Sequence, residues 1–277
     1  MSDYLDFQID LGAADTVSAY DELPLWSAMA GLLLLEHVEL KRGAHVLDVG
    51  CGTGFPLIEL AERLGPASRV CGIDPWSAAL ARARFKARVR RVENVAVVGG
   101  DAGALPFPDA RFDLIVSNLG VNNFEKPEAA LGEIRRVARP GSKLALTTNL
   151  KGHMKEFYDV FEETLAEVGD GKALGALKAH VNHRATVEKL TALLEGCGFR
   201  LARVREAQAA MRFADGSALL RHYFVKLGFL DGWKSVVEAE RREDVFARLE
   251  GKLNQASRLR DGLELTIPLA YVEARLS

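Results

Sequence analysis

The sequence predicts an α/β fold with a Rossmann-like, mostly parallel sheet, and three observations indicate it. Short segments rich in Val, Ile and Leu predict strands near 45–49, 69–73, 95–99, 112–117 and 142–148. Helical patterns fill the gaps between these segments, and this alternation is typical of a parallel sheet covered by helices on both faces. The first strand leads directly into a glycine-rich turn at residues 50–54, at the sheet edge where such folds bind ligands.

The remaining elements follow in chain order. An acidic start without clear periodicity precedes an apolar-faced helix predicted over 25–40. After the fifth strand, the pattern predicts a helix over 186–198, a sixth strand over 199–204 and a seventh over 262–274. The segment 213–259 is too long for a hairpin and has a helical pattern, so we interpret it as an inserted lid.

These boundaries define the expected domain organisation. We expect an N-terminal cap segment at 1–40, a ligand-binding core at 41–212, an inserted helical lid at 213–259 and a final core strand within 260–277. A chain of 277 residues with 48% hydrophobic content is long enough for one sizeable core with such a cap.

The charge balance bears on the class of partner. There are 36 Lys and Arg residues against 38 Asp and Glu residues, a net charge of -2. No global field therefore favours nucleic acid or an anionic membrane, and a small molecule is the expected partner. The longest apolar run, 28–35, is too short to span a bilayer, and the start of the chain lacks the basic residues of a signal peptide.

Three cysteines, Cys51, Cys71 and Cys197, indicate neither a disulfide framework nor a paired zinc motif. We therefore expect a cytoplasmic protein. His180 and His183 stand three residues apart and could share a helix face, but no third metal ligand is evident, so we expect no metal.

The glycine turn belongs to the segment Val46-Leu-Asp-Val-Gly-Cys-Gly-Thr-Gly-Phe-Pro56. Glycine permits backbone conformations and close approaches that a side chain would block. A dinucleotide fingerprint requires G-x-G-x-x-G, and here Phe55 occupies the third glycine position. The pattern therefore argues against a nicotinamide or flavin dinucleotide.

This segment resembles the first motif of class I S-adenosylmethionine (SAM) dependent methyltransferases, D-x-G-x-G-x-G. Four further segments are similar to the later core motifs of that family, in the same order: Val70-Cys-Gly-Ile-Asp-Pro75, Val97-Val-Gly-Gly-Asp-Ala102, Phe112-Asp-Leu-Ile-Val-Ser-Asn-Leu-Gly120 and Val137-Ala-Arg-Pro-Gly-Ser-Lys-Leu-Ala-Leu146. The resemblance covers about the first half of the chain. It implies SAM as cofactor, methyl transfer as the activity and an antiparallel seventh strand.

The resemblance also implies which residues bind the cofactor. Asp74 corresponds to the acid that binds the ribose hydroxyls, and Asp101 with Ala102 corresponds to the pair that recognises adenine. The full expected set is Asp48, Gly50, Cys51, Gly52, Thr53, Gly54, Asp74, Pro75, Trp76, Asp101, Ala102, Asn118 and Leu119. Three alternatives stay open: a tight turn without a ligand, a purely structural role for Asp48, and a core-packing role for Trp76.

Candidate catalytic residues come from the loop after the fourth strand, where the family brings substrate and methyl group together. Asn122 and Asn123 could orient a substrate by hydrogen bonds, although asparagines also simply form turns. Methyl transfer from a sulfonium depends on alignment more than on a strong acid, so a general base is optional. His153 is the candidate if one is used, with a solvated loop histidine as the alternative.

Aromatic residues of the N-terminal segment and the lid could line a substrate pocket or form the apolar faces of cap helices. From these segments we take Tyr20, Trp26 and Arg221 as candidate substrate or cap residues, with Arg221 as a partner for a carboxylate.

Three other functions stay open. The basic run 82–91 could bind the substrate of an RNA methyltransferase, although a solvated helix face also explains it. The chain could instead be a SAM-binding module without catalysis. Aminopropyl transfer needs acids to hold a polyamine, whereas the loop after the fourth strand offers asparagines.

Overall fold

A computed structural model describes residues 3–23, 25–182 and 184–276, except for the side chains of residues 25 and 26. The seven strands of the described chain are β1 (His45–Val49), β2 (Arg69–Asp74), β3 (Val95–Gly99), β4 (Phe112–Asn118), β5 (Ala138–Asn149), β6 (Phe199–Phe213) and β7 (Leu263–Leu276). Its α-helices are α1 (Ala14–Glu22), α2 (Leu25–His37), α3 (Leu57–Leu64), α4 (Ser77–Val89), α5 (Pro127–Val137), α6 (Lys155–Glu167), α7 (Gly171–Asn182), α8 (Val187–Gly196), α9 (Gly216–Arg221), α10 (Tyr223–Gly228), α11 (Leu230–Val236) and α12 (Arg242–Arg260).

The strands form one seven-stranded sheet in the order β3-β2-β1-β4-β5-β7-β6. Strands β1 to β5 pair in parallel, whereas β7 runs antiparallel to β5, with Leu146 opposite Val272. Helices connect β1 to β2, β2 to β3 and β4 to β5, as in a doubly wound α/β fold, whereas the expected helix between β3 and β4 is replaced by turns over 100–111. The predicted fold class, with its antiparallel seventh strand, is confirmed.

The central strand β1 is buried along almost its whole length, as expected for a strand covered on both faces. Val46 packs in a core cluster with Leu57 and Leu60 of α3, Leu34 of α2 and Val70 of β2. Each of these side chains is at most 1% exposed. Burial of a side chain of this size contributes about 1.5–3 kcal/mol, so these contacts fix the position of the turn that follows β1.

The chain divides into two compact units. One unit, here called the sheet unit, comprises residues 11–149, 186–207 and 269–277. The other, here called the helical unit, comprises residues 1–10, 150–185 and 208–268. The predicted lid segment, 213–259, lies in the helical unit, and the division into cap, core, lid and final strand stays a prediction.

Several predicted boundaries were wrong. Helix α2 ends at His37 rather than residue 40, although Val38 just beyond its end still packs in the core. Strand β5 begins at Ala138, since a register shift lets Ala138 pair with Phe112 before the regular ladder starts at Leu114 and Lys143. Strand β6 continues to Phe213, nine residues beyond its predicted end.

Candidate functional site

The carboxyl ends of the parallel strands bring the candidate cofactor residues to one edge of the sheet unit. In the sheet register, Val49 lies opposite Ile73, Asp74 opposite Gly99, and Asn118 opposite Thr147. The segments after β1, β2, β3 and β4 therefore emerge side by side. This is the edge at which doubly wound sheets bind ligands.

The glycine turn after β1 is held against the neighbouring strand β2. The backbone N–H groups of Gly50 and Cys51 donate to the carbonyl oxygen of Ile73, at 2.8 and 3.1 Å. Gly52 has φ of +50°, and a Cβ at this residue would meet nothing within 4 Å. A Cβ at Gly54, with φ of +99°, would lie 3.0 Å from Ile58. Gly54 thus allows packing against the core, whereas Gly52 borders open space that a ligand can occupy.

Asp74 is anchored on this turn. One carboxylate oxygen accepts a hydrogen bond from the N–H of Gly52 at 2.9 Å, and the other accepts from the N–H of Trp76 at 2.8 Å. A carboxylate has about four acceptor positions, so each oxygen retains acceptor capacity for a ligand hydroxyl. The half-buried position at the end of β2 fits a residue that binds a pair of vicinal hydroxyl groups.

Asp48, in contrast, is completely buried in β1. Burial, and secondarily the charge of Asp74, raise the pKa of its carboxyl group to about 8, while the backbone N–H of Leu57 acts in the opposite direction. A buried carboxyl group without a countercharge is costly to ionise. A cationic ligand near this position would supply the missing charge.

Asp74 is followed in sequence by two residues, the second of which, Trp76, makes an aromatic contact. The Trp76 ring packs edge-to-face on Tyr20 of α1, with centroids 5.2 Å apart, and its indole N–H donates to the carbonyl oxygen of Leu11 at 2.7 Å. Burial, then the charges of Asp74 and Asp21, raise the pKa of the Tyr20 phenol. Tyr20 and Trp76 thus lie on the same side of the site as Asp74. The predicted side-chain role of Trp26 lies outside the described part.

The segment after β3 forms a tight turn. The side chain of Asp101 is exposed and accepts a hydrogen bond from the N–H of Gly103 at 2.7 Å. This bond fixes the carboxylate where the turn begins. Ala102 beside it is half-buried, and Pro75 on the adjacent strand end is exposed. The predicted adenine pair therefore lies at the same sheet edge as Asp74.

The loop after β4 carries a buried polar network. The side-chain amide of Asn118 donates to the carbonyl oxygen of Ser27 at 2.9 Å, and its amide oxygen accepts from the Thr147 hydroxyl at 2.7 Å. Leu119 has φ of +62°, and its N–H donates to the Thr147 carbonyl at 3.1 Å. A left-handed leucine is strained and persists only where its surroundings hold it. Asn118 and Leu119 are thus fixed at the strand end.

A second pair of residues extends this network. The Asn122 amide donates to the side-chain oxygen of Asn149 at 3.3 Å, and its own oxygen accepts from the Thr148 hydroxyl. Thr148 and Asn149 are each 1% exposed, whereas Asn123 is exposed. Sequence reasoning missed Thr148 and Asn149, although they end β5 at the edge where Asn118 ends β4. The sequence signal for them was the pair of polar residues, Thr148 and Asn149, at the end of the otherwise apolar strand β5.

Comparison with known proteins adds the family. Residues 40–198, more than half of the chain, match the sequence profile of a family described as Methyltransferase domain. The chain belongs to this methyltransferase family. This match confirms the expected class I SAM-dependent methyltransferase. The protein is an enzyme, and SAM is its cofactor.

Curated relatives of the methyltransferase include proteins named demethylmenaquinone methyltransferase. The one from Listeria welshimeri is 30% identical over 175 residues, which cover 60% of this chain and 74% of that protein. The one from Anoxybacillus flavithermus is 36% identical over 110 residues, which cover 40% of this chain and 46% of that protein. The chain thus spans about half to three quarters of the length of these relatives.

Solved structures support the fold of the methyltransferase. A SAM dependent methyltransferase from Aquifex aeolicus has a TM-score of 0.58 at 19% identity, covering 98% of this chain and all of that one. A putative methyltransferase from Bacillus halodurans has a TM-score of 0.58 at 20% identity, covering 88% and 97% of the two chains.

The residues of this methyltransferase fit the cofactor. The open space beside Gly52 accommodates a ligand against bare backbone, Asp74 offers acceptors for two hydroxyls, and the buried Asp48 carboxyl matches a positive charge. Bound SAM supplies an electrophilic methyl group on a sulfonium. The protein's part is to hold and align the reactants and to exclude water, because no strong acid is needed for a leaving group that is already cationic.

Two candidate residues of the methyltransferase belong to the helical unit. His153 is 2% exposed, so the alternative of a solvated loop histidine is wrong. Burial, and then the positive charge of Arg184, hold the pKa of His153 far below its usual range. Its imidazole is therefore neutral at physiological pH, but a pKa this low makes it a weak proton acceptor, which disfavours the predicted role as a general base. The ring centroid lies 5.7 Å from that of Phe229, a packing contact that sequence reasoning missed.

Arg221 is already paired within the helical unit. Its guanidinium contacts Glu250 at 2.5 Å and Asp3 at 3.3 Å, and lies 5.0 Å from the ring centroid of Tyr4. Binding of a substrate carboxylate would have to compete with these contacts. Arg221 as a substrate ligand stays a prediction.

The basic run of the methyltransferase lies on and just after α4, and much of its charge is engaged. Arg82 and Lys86 pair with Asp21, and Arg90 pairs with Glu62. The described residues contain no group of three or more side chains suited to hold a metal ion, and no described helix is long and apolar enough to cross a membrane.

Proposed function

We propose that the protein is a SAM-dependent methyltransferase that acts on a small, partly apolar molecule and releases S-adenosylhomocysteine (SAH). The anchoring of Asp74 on the glycine turn carries the proposal, since two backbone N–H groups aim its carboxylate while leaving acceptor capacity for the ribose hydroxyls. The neutral polar network of the β4 loop supports a small substrate held by hydrogen bonds rather than by ion pairs.

The curated relatives support the substrate class. Their name, demethylmenaquinone methyltransferase, describes methylation of a quinone-type compound. We include molecules of that type in the proposed class. A cytoplasmic location completes the proposal, in keeping with the three free cysteines.

Within this proposal, several side chains have distinct parts. Asn118 and Leu119 border the cofactor at the end of β4, Asn122 orients the substrate side of the loop, and Asn123 is the exposed amide that can hydrogen-bond a substrate. A general base is optional for this reaction, and His153 is a weak candidate for one, because burial holds its pKa far below its usual range. The helical segment 213–259 and the N-terminal segment 1–40 supply the cap, with Tyr20 and Trp26 as cap residues.

Calorimetry with SAM and SAH tests the cofactor part. We expect both ligands to bind the parent, and Asp74→Ala to weaken binding at least 100-fold, because the ribose loses a charge-assisted contact and the turn loses its anchor. Asp109→Ala is the matched control, since Asp109 is an exposed carboxylate whose partner is Arg136 rather than the glycine turn. Absence of SAM and SAH binding by the parent would overturn the proposal.

Turnover tests the substrate class. Release of SAH would be followed with hydroquinones, phenols and enolisable ketones, and with total RNA as the competing substrate. Activity on RNA that falls steeply with salt would favour the RNA methyltransferase, because phosphate contacts are salt-sensitive. The engagement of Arg82, Lys86 and Arg90 by carboxylates speaks against that outcome. Cofactor binding without turnover on any substrate would favour a non-catalytic SAM-binding module.

A further inference from the structure

Asp21, near the end of α1, is a half-buried carboxylate that contacts helix α4 of the sheet unit. The Asp21 side chain is 9% exposed. It accepts hydrogen bonds from Arg82 at 2.8 Å and from Lys86, both on α4. Burial raises the pKa of the Asp21 carboxyl group, but Lys86, Arg82 and the Thr53 hydroxyl of the glycine turn together hold it below its usual value. One carboxylate thus joins the N-terminal helix to the helix that follows Asp74, close to the glycine turn.

The neighbouring residues of α1 lie against the ribose acid. Tyr20 precedes Asp21 and packs on Trp76, whose backbone N–H is bound to Asp74. The Trp76 indole in turn binds the carbonyl of Leu11, just before α1. The charges of Asp74 and Asp21 act on the Tyr20 phenol, which places this hydroxyl near both carboxylates. Helix α1 therefore lies over the Asp74 side of the cofactor site.

Helix α1 has little else to hold it in place. It is nine residues long, and within these described residues no side chain caps its N-terminus and Val17 alone is buried. Isolated helices of this length are marginal in water, so tertiary contacts must stabilise the element. Charge-assisted hydrogen bonds are stronger than neutral ones, so the part-buried ion pairs of Asp21 are suited to this task. In the described part of the chain, the part-buried ion pairs that join α1 to the rest of the sheet unit are those of Asp21 with Arg82 and Lys86.

We propose that Asp21 is a positioning residue of the cofactor site, which fastens α1 to α4 so that Tyr20 and Trp76 close over a cofactor bound at Asp74. This inference rests on the proposed function, since it assigns Asp21 to the SAM site. The consequence is kinetic: cofactor exchange requires that the contacts of Asp21 with Arg82 and Lys86 open. Loss of these contacts speeds SAM and SAH release more than it changes the methyl-transfer step.

The test measures cofactor release. Methyl-tritiated SAM bound to the full chain is chased with excess unlabelled SAH, and the label retained on a filter gives the dissociation rate. We expect Asp21→Asn to raise this rate at least tenfold and to raise KM for SAM while kcat changes less than threefold. Asp15→Asn is the matched control, because Asp15 is an exposed carboxylate of the same helix. Asp21→Glu keeps the charge and should recover part of the slow release.

Salt separates an ionic fastening from a general loss of structure. In the parent, KCl between 50 and 500 mM should speed release, because salt screens part-exposed ion pairs. The ratio of the Asp21→Asn rate to the parent rate should therefore fall toward one as KCl rises. If Asp21→Asn does not fold, Lys86→Met removes one of the two cations and should give an intermediate rate.

A release rate of Asp21→Asn within twofold of the parent, with SAM still bound, would overturn the inference and leave the proposed function intact. A salt-independent ratio would also overturn it, because the effect would then not be ionic. Failure of the parent to bind SAM at all would instead refute the proposed function, as the calorimetry on Asp74→Ala does independently.

Discussion

The buried carboxyl group of Asp48 should make the protein less stable as pH rises. Its pKa lies at about 8 in the folded protein instead of the ordinary 3.8, mainly because burial disfavours the charged form. Between these two values the folded protein binds a proton that the unfolded chain has released. The free energy of unfolding must therefore fall with increasing pH across this window and level off above about pH 8.

The size of the effect follows from the same shift. A displacement of about 4 pH units at about 1.4 kcal/mol each corresponds to about 6 kcal/mol when the group is fully ionised. Relaxation and water penetration reduce such costs, so we expect at least 2 kcal/mol to be measurable. Asp48→Asn keeps the shape and cannot ionise. Relative to the parent, it should gain at least 2 kcal/mol in unfolding free energy between pH 5 and pH 9.

Urea unfolding of the cofactor-free protein, followed by far-ultraviolet circular dichroism at pH 5, 7 and 9, measures this difference. Asp15→Asn provides the control, because Asp15 is exposed on α1 and its substitution should give the same small change at every pH. If Asp48→Asn and the parent differ by a constant amount from pH 5 to pH 9, Asp48 does not titrate in this range. The assignment of a proton to Asp48 in the free protein would then be refuted.

Two further predictions concern the loop after β4. A Cβ at Gly120 would lie 2.4 Å from the Ser117 hydroxyl and 2.8 Å from the carbonyl oxygen of Val49. Gly120→Ala should therefore destabilise the protein by about 2 kcal/mol and weaken SAM binding, and an unchanged melting temperature would contradict this. Thr148→Val removes the hydroxyl that holds Asn122, so it should lower kcat about tenfold while SAM affinity, measured by calorimetry, stays within threefold; equal losses in both would contradict it.

Local patterns predicted the parts of the site that local sequence determines. The strand β1, the turn at Gly52 and the acid at Asp74 follow from short motifs, because a buried strand that runs into glycines admits few conformations. The parallel order of the first five strands follows from their alternation with helices. Asp74 and Asn118 each end a parallel strand, so motif and topology together suffice to predict that they share one edge of the sheet.

The parts that were missed depend on partners distant in sequence. Helix α1 has no strong periodicity, and its position depends on Asp21 meeting Arg82, 61 residues later. The burial of His153 depends in part on Phe229 in the helical unit, so no local pattern distinguishes it from a solvated histidine. Propensity and periodicity report a residue's own segment, whereas such contacts are set by the tertiary fold.

Three acids at the cofactor edge of the sheet are partly or fully removed from water, and a different interaction compensates each one. Asp74 uses backbone N–H donors, Asp21 uses Arg82 and Lys86, and Asp48 retains its proton to about pH 8. Of these three acids, Asp48 is therefore the one that burial keeps neutral in the free protein. SAM carries one more positive charge than SAH, so an ionised Asp48 favours the reactant over the product. The burial of Asp48 thus lowers the stability of the free protein when this carboxyl group ionises. The same ionised carboxylate strengthens binding of cationic SAM more than binding of SAH, so it favours release of the product.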